Sequence, residues 1–433
     1  MGADASRYAD PKEETMPRDD IERLQEAKLL ELIPWAYEHS ALIRSTWETA
    51  GVHPRDVRSL DDFRARVPFV DKDAIRRFRD ATGDPYGGTL CIDRSDISAV
   101  FSTSGTTGDP TLVAEAVPRG EAGPGAALRR EFWEMGVRAD DLFAIMLFTF
   151  RGPGLSRIIR SMGAVPVWFD HHPDDFDRFF RWSAELAPVA LYSLSGPLIM
   201  ALQHLAPAMG VDVGDALSCY RGIIFAGEPL GLRARAQVDA WGLKLFLHTG
   251  LGDVGAATEC REHDGCHFWE DTALVEWLDV DGNGDDGRGE LVATSLDDRT
   301  APLIRYRSDD IVRMTFDPCG CGRTHGRFWP LGRKGDEVVV GGRTVLPLDV
   351  WPAIEAVDAC AFGLFQMIRT TREADVLRLR VGYAGTPPLT ALEDEVRASV
   401  AAAVGVEPEV ELVPNDALLR LGPPHKIPRV AKS

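Results

Sequence analysis

The chain has 433 residues, 45% hydrophobic and 27% charged, with a formal net charge of −19. That length exceeds the roughly 250–300 residues one core usually supports, so at least two domains are expected. The acidic balance argues against nucleic acid or an anionic membrane as partner, and an anionic substrate needs a local positive site.

The opening MGADASRYADPKEETMPRDD is polar and carries no signal-peptide pattern, and no apolar run reaches the ~18 residues of a membrane span. Seven cysteines, an odd number in a long chain, argue against a secreted disulfide framework, so a cytoplasmic location is expected. From Ile21 to about Glu48, apolar residues at helical spacing (Leu24, Ala27, Leu30, Ile33) predict helices. Leu60 to Phe78 reads as turns and a short helix. The run FSTSGTTGDP (101–110) lies between two apolar stretches, ISAV and TLV. Its glycines allow close backbone approach and its hydroxyls are donors, which suits either a turn or a phosphate cradle. No lysine follows Gly108, so a Walker-type loop is disfavoured.

A helix is predicted within Glu121–Met135 and another over Ser156–Met162. Buried strands are predicted at Leu142–Thr149, Ala164–Phe169, Val189–Leu194, Gly222–Phe225 and Lys244–Leu247. This alternation predicts an α/β fold with a largely parallel sheet. LVEWLDVDGNGDDGRGELVATS (274–295) reads as two strands around an Asp/Gly turn. After the glycine- and charge-containing junction at 332–335, a small α+β segment follows. The expected division is a large domain, 1–332, and a small one, 333–433.

The run 102–108 matches the STSGTTGxP type of phosphate loop, and further stations follow in order. AYEHSALIRSTWETAGVHPRDVRSLDDF and PFVDKDAI lie before it. AGEPL (226–230), HTGLGDVG (248–255), RGELVATS (288–295), PLIRYRSDDIV (302–312), LGRKGD (331–336), GGRTVLPLDV (341–350) and PPHKIPRV (423–430) lie after it. This ordered set resembles the phenylacetate–CoA ligase-like branch of the adenylate-forming superfamily. The resemblance implies a large adenylation domain with sheets flanked by helices and a small mobile α+β domain. It also implies a chemistry: a carboxylate is joined to ATP, pyrophosphate leaves, and the acyl group passes to the thiol of coenzyme A. Two anions meet in the first step, so positioning and charge neutralisation dominate.

Carried over residue by residue, the resemblance gives Ser102, Thr103, Ser104, Gly105, Thr106, Thr107 and Gly108 to the ATP phosphates. Gly227, Glu228 and Pro229 flank the adenine, with Thr249 and Gly250 nearby. Asp310 suits the ribose diol, and Arg333 the ribose and phosphates. Asp253 is the Mg2+ candidate, and Lys426 the lysine that bridges carboxylate and α-phosphate. Phe148, Thr149, Phe150, Gly152 and Ser195 fall where relatives line the acyl pocket, and aromatics and glycines there suit an aryl carboxylate.

Cys260, His267 and the C-x-C pair Cys319 and Cys321 offer three soft thiolates and an imidazole, a tetrahedral donor set, within an element spanning 260–321. The resemblance implies a structural Zn2+ there, with Cys266 and His263 as alternative ligands.

Departures from the family pattern are Asp109 for a basic residue, Thr249 for Tyr, Gly252 for Ser/Thr, Asp253 for Glu, Asp309 for Gly, and Gly335 at the hinge. They leave open a carrier-protein thiol, an amine, or nitrite in diazotisation of an aryl amine as the co-substrate. A catalytically silent ATP- or aryl-acid-binding protein is the reading from another class. Relatives are often dimers, so a homodimer is a further expectation.

Overall fold

The computed structural model describes residues 7–102, 109–116, 125–146, 152–169, 176–279, 288–421 and 427–432. Two compact units interleave along the chain: 1–134, 149–162 and 248–329 form one, and 135–148, 163–247 and 330–433 the other.

In the first unit a short helix Pro11–Glu14 precedes helices Arg18–His39 and Ala41–Thr49. Ser40 separates them. Its N–H donates to the Ala36 carbonyl, closing the first helix, and its Oγ accepts from Ile43 N at 3.2 Å, capping the second. Leu29, Leu32, Ile33 and Trp47 pack against Leu274, Leu296 and Ile304. The expected hairpin contributes Leu274 to this cluster, and its strands Ala273–Leu278 and Arg288–Ser295 pair antiparallel. Strands Ile97–Ser102 and Leu112–Ala116 also pair antiparallel, with Ser102 opposite Leu112, so the serine- and glycine-rich run connects a hairpin.

Lys72–Thr82 is a full helix, longer than the turns and short helix expected there. Asp71 caps it by accepting from Ala74 N, and Gly83 ends it at φ 75°. Only Ile75 of this arginine-rich helix is buried, which leaves almost no apolar period to read.

Buried charges hold the N-terminal part of this unit. The Arg130 guanidinium forms two 2.7 Å bonds to Asp271 and one of 2.9 Å to Asp10, and lies 4.9 Å from the Trp269 ring. Burial opposes ionisation of Asp271, but Arg130 outweighs it and holds that carboxyl below its ordinary pKa. The folded state therefore gains stability from this group above the unfolded carboxylate pKa of ~3.9, and loses it as pH falls through the depressed folded value. Asp271→Asn leaves Arg130 short of a buried counter-charge. It should cost about 3–5 kcal/mol in chemical denaturation at neutral pH, and the loss should shrink in acid; an unchanged midpoint would contradict the pairing.

In the second unit, five strands run parallel in the order Val165–Trp168, Leu142–Ile145, Ala190–Leu194, Gly222–Phe225 and the first half of Leu245–Leu251. Helices Phe176–Leu186, Gly196–Ala208 and Leu232–Ala240 alternate with them, as the short apolar runs predict. Ala190–Leu194 and Gly222–Phe225 are buried at every position, the pattern of strands covered on both faces.

The C-terminal segment of this unit has its own core. Helices Pro347–Glu355 and Leu389–Val404 cover a sheet ordered Pro408–Pro414, Leu377–Tyr383, Phe365–Arg369, Val430–Lys432. Val350, Ile354, Phe365, Met367, Leu379 and Val396 fill the space between them. Among the described residues, no helix is long and apolar enough to cross a membrane.

Candidate active site and metal centre

In the first unit, Ser102 ends the strand that leads into the phosphate-loop station, and Asp109 follows it; Thr103–Gly108 lie outside the described residues. Arg76 donates to the Asp109 carbonyl, at 2.9 Å through Nε, and Arg79 pairs with the Asp109 carboxylate. The hydrogen bond from Arg79 holds the Asp109 carboxyl below its ordinary pKa. Two guanidiniums from helix Lys72–Thr82 thus stand beside Asp109.

The same helix starts at the 248–255 station. Asp253 Oδ2 accepts the Tyr306 hydroxyl at 2.9 Å and lies 3.2 Å from Lys72 Nζ. Burial first, and Asp253 second, push the Tyr306 phenol up, so it stays protonated and donates. Gly252 has φ 58°, and a Cβ on it would meet Ser308 Cβ at 3.0 Å. Glycine at this departure is therefore what the turn requires. Thr249 and Gly250 sit in strand Leu245–Leu251, paired with Ala257 and Ala256.

Asp310 N–H donates to Ser308 Oγ at 3.2 Å, inside strand Tyr306–Thr315. Its neighbour Asp309, which replaces the family glycine, has φ 62°. Asp is among the few side chains that tolerate this left-handed region, so the substitution keeps the local backbone.

One network escapes sequence reading. His248 Nδ1 lies 2.9 Å from Glu131 Oε2, and Thr258 Oγ1 donates to Glu131 Oε1 at 3.0 Å. Glu131 is buried and 117 residues from His248, so no local motif signals the pair.

In the second unit, Gly227 takes φ 112°, and Glu228 pairs with Arg429 at 2.9 Å. Ser195 precedes helix Gly196–Ala208, and its buried Oγ has no hydrogen-bond partner among the described residues. A Cβ at Gly196 would lie 2.6 Å from Glu228 Oε1, so Ser195–Gly196 and the AGEPL segment lie side by side here. Arg333 ends strand Arg327–Arg333. At the expected hinge, Gly335 has φ 85°, and its N–H donates to Glu337 at 2.6 Å. Gly152 begins helix Gly152–Ser161 of the first unit, and Phe148, Thr149, Phe150 and Lys426 lie outside the described residues.

The four expected metal ligands come together in the first unit. Donor atoms of Cys260, His267, Cys319 and Cys321 all lie within 4.8 Å of one another, and all four residues are buried. Cys260 Sγ is 3.7 Å from Cys319 Sγ, and Cys321 Sγ is 3.3 Å from His267 Nε2. A tetrahedral Zn2+ with ~2.3 Å bonds to sulfur needs S–S edges of ~3.8 Å. His267 Nδ1 lies 3.1 Å from the His325 carbonyl; donation there leaves Nε2 as the coordinating nitrogen. The hydrogen bond from Cys260, with His267 beside it, pulls the Cys321 thiol down into the thiolate form a metal takes. Cys266 and His263 are not in this cluster; His263 instead lies 3.1 Å from Glu259.

A scan against protein-family models finds no match. Individual proteins do match. Phenylacetate-coenzyme A ligase of Thermus thermophilus is 30% identical over 393 residues, covering 86% of this chain and 83% of that one. The chain belongs to the phenylacetate–CoA ligase family. Escherichia coli (strain K12) phenylacetate-coenzyme A ligase is 27% identical over 77% of this chain and 76% of its own. A crystal structure of 2-hydroxyisobutyryl-CoA ligase in the postadenylation state with 2-HIB-AMP is 26% identical, with a TM-score of 0.84 over 100% of this chain and 94% of that one. As a member of this family the chain is an AMP-forming acid–thiol ligase of the adenylate-forming superfamily.

Proposed function

We propose that the chain activates an aryl or arylacetic carboxylate as its acyl-adenylate and passes the acyl group to coenzyme A. What carries this reading is the full series of stations, in family order, on a chain 30% identical to a phenylacetate-coenzyme A ligase. One carboxylate oxygen attacks the ATP α-phosphorus and pyrophosphate leaves. The CoA sulfur then attacks the acyl carbon, AMP leaves, and the thiol proton goes to solvent.

Ser102–Gly108 hold the phosphates, with Arg76 and Arg79 fixing Asp109 at the end of the run. Asp310 takes the ribose hydroxyls, Arg333 lies near ribose and phosphates, and Gly227–Pro229, Thr249 and Gly250 border the adenine. Lys426 bridges carboxylate and α-phosphate in the first step only. Phe148, Thr149, Phe150, Gly152 and Ser195 line the acyl pocket. The Ser195 hydroxyl, which has no partner among the described residues, supports this, since a polar ligand would satisfy it.

Asp253 offers a part-exposed carboxylate whose contacts to Lys72 and Tyr306 both fall on Oδ2, a donor suited to Mg2+. When bound, Mg2+ supplies charge neutralisation to the phosphates. Asp253→Asn should slow pyrophosphate release about 10–100-fold and raise the Mg2+ needed for half-maximal rate. An unchanged Mg2+ dependence would remove Asp253 from this role. Cys260, His267, Cys319 and Cys321 hold a structural Zn2+ through which no step passes.

The functional division falls at 332/333, with Gly335 as the hinge residue, in a cytoplasmic and homodimeric enzyme. A screen of aryl, arylacetic and short aliphatic acids for acid-dependent pyrophosphate release, with and without CoA, tests substrate and acceptor together. An aryl-CoA product supports the proposal. Release without CoA acylation, with product formed only on a carrier protein or an amine, would replace the acceptor, and pyrophosphate release that needs nitrite and an aryl amine but no acid would replace the substrate.

A further inference from the structure

Residues 226–233 and the C-terminal segment of the second unit meet through a small set of buried polar contacts. Glu355 is buried, and its Oε1 accepts the Trp351 indole N–H at 2.8 Å. Its Oε2 accepts the backbone N–H of Arg233 at 3.2 Å. Arg429 donates to Glu228 at 2.9 Å and to the Gly363 carbonyl at 2.5 Å, with its guanidinium 3.7 Å from the Trp351 ring. Trp351, Gly363 and Glu355 all belong to the C-terminal segment, so most of the Arg429 cage travels with it. Glu228 is the counter-charge contributed by the AGEPL station.

Close approach depends on one glycine. A Cβ at Gly231 would stand 1.9 Å from Glu355 Oε1 and 2.8 Å from Trp351 Nε1. Gly231 itself has φ −67° and ψ 156°, a conformation open to any residue, so only the contact demands glycine. Beside these contacts the faces close only in part, with Met200 packed against Leu364, Leu418 and Ile427. A cavity of about 590 Å³ lies between them, lined by Ile199, Met200, Gln237, Phe362 and Leu364 among others. Permanent interiors are packed densely, whereas a face that must separate need not be.

We propose that Glu355, Arg429 and the close approach at Gly231 form a latch. It fastens the C-terminal segment to the adenine station for the first half-reaction and opens for the second. Arg429 lies three residues after Lys426 and acts as a positioning residue for it. The latch rests on the ligase reading above, and its test separates the two.

Gly231→Ala and Arg429→Met should each cut acid-dependent pyrophosphate formation at least about tenfold. Both should leave thioester formation from supplied acyl-adenylate and CoA within about twofold of wild type. Equal loss in both half-reactions, or loss in neither, would overturn the latch. Amide hydrogen exchange of the free protein gives a readout independent of substrate. Exchange across Leu232–Ala240 and Pro347–Glu355 should quicken in Gly231→Ala, and unchanged protection would overturn the latch. Failure of the ligase reading shows separately, as wild-type protein that forms no pyrophosphate with any acid.

Discussion

Lys426→Ala is expected to lower acid-dependent pyrophosphate formation by about 10²–10³-fold, the scale seen when one charge-stabilising donor is removed. The carboxylate and the triphosphate repel, and an overall charge of −19 does nothing to relieve it. A single ammonium bridging both reacting oxygens counts for most where charge is redistributed. The same variant should convert supplied acyl-adenylate and CoA to thioester at a nearly unchanged rate, because that step needs no bridge between carboxylate and phosphate. Rapid-quench measurement of the two half-reactions checks this. Equal loss in both would assign Lys426 to folding or to AMP binding.

Loss of the metal centre is expected to cost as much stability as Asp271→Asn and to act over a longer stretch of chain. Purified protein should carry about one Zn2+ per chain by elemental analysis, and Cys321→Ser should lose it. The consequence reaches the N-terminus, because residues after Cys321 are stitched to it. Tyr8 OH donates to the Cys321 carbonyl at 2.8 Å, Arg323 pairs with buried Glu14 at 2.7 Å, and Thr324 N–H donates to the Glu14 carbonyl at 3.2 Å. Arg323 also reaches Glu134 at 2.8 Å. Releasing the Cys319–Cys321 loop breaks these charge pairs from one side, a loss of about 3–5 kcal/mol. Melting should fall by ~5 °C or more, with new protease cleavage between residues 7 and 18. A zinc-free variant with unaltered melting and cleavage would mean the thiols pack as ordinary buried cysteines.

Legibility varies with how local the cause of each feature is. Ala190–Leu194 and Gly222–Phe225 are readable because a strand covered on both faces is simply a short apolar run. Cys260, His267, Cys319 and Cys321 are readable because few other roles want three thiols and an imidazole. Asp309 and Gly252 look like damaged motif positions until their positive φ angles explain them, and backbone conformation is not visible in composition. Helix Lys72–Thr82 is underestimated because it buries little, yet it carries Lys72, Arg76 and Arg79 to Asp253 and Asp109. Those pairs, like His248 with Glu131, join residues far apart in sequence, where only the folded chain brings them into contact.

Formation of an acyl-adenylate is tested most directly by following oxygen. An acid from the screen is labelled with 18O in both carboxylate positions and incubated with ATP, Mg2+, CoA and the protein, and the products are weighed by mass spectrometry. Attack on the α-phosphorus followed by displacement at the acyl carbon predicts one 18O in AMP and the other in the thioester carbonyl. Unlabelled AMP, or label appearing in inorganic phosphate beside ADP, would contradict an adenylate-forming ligase.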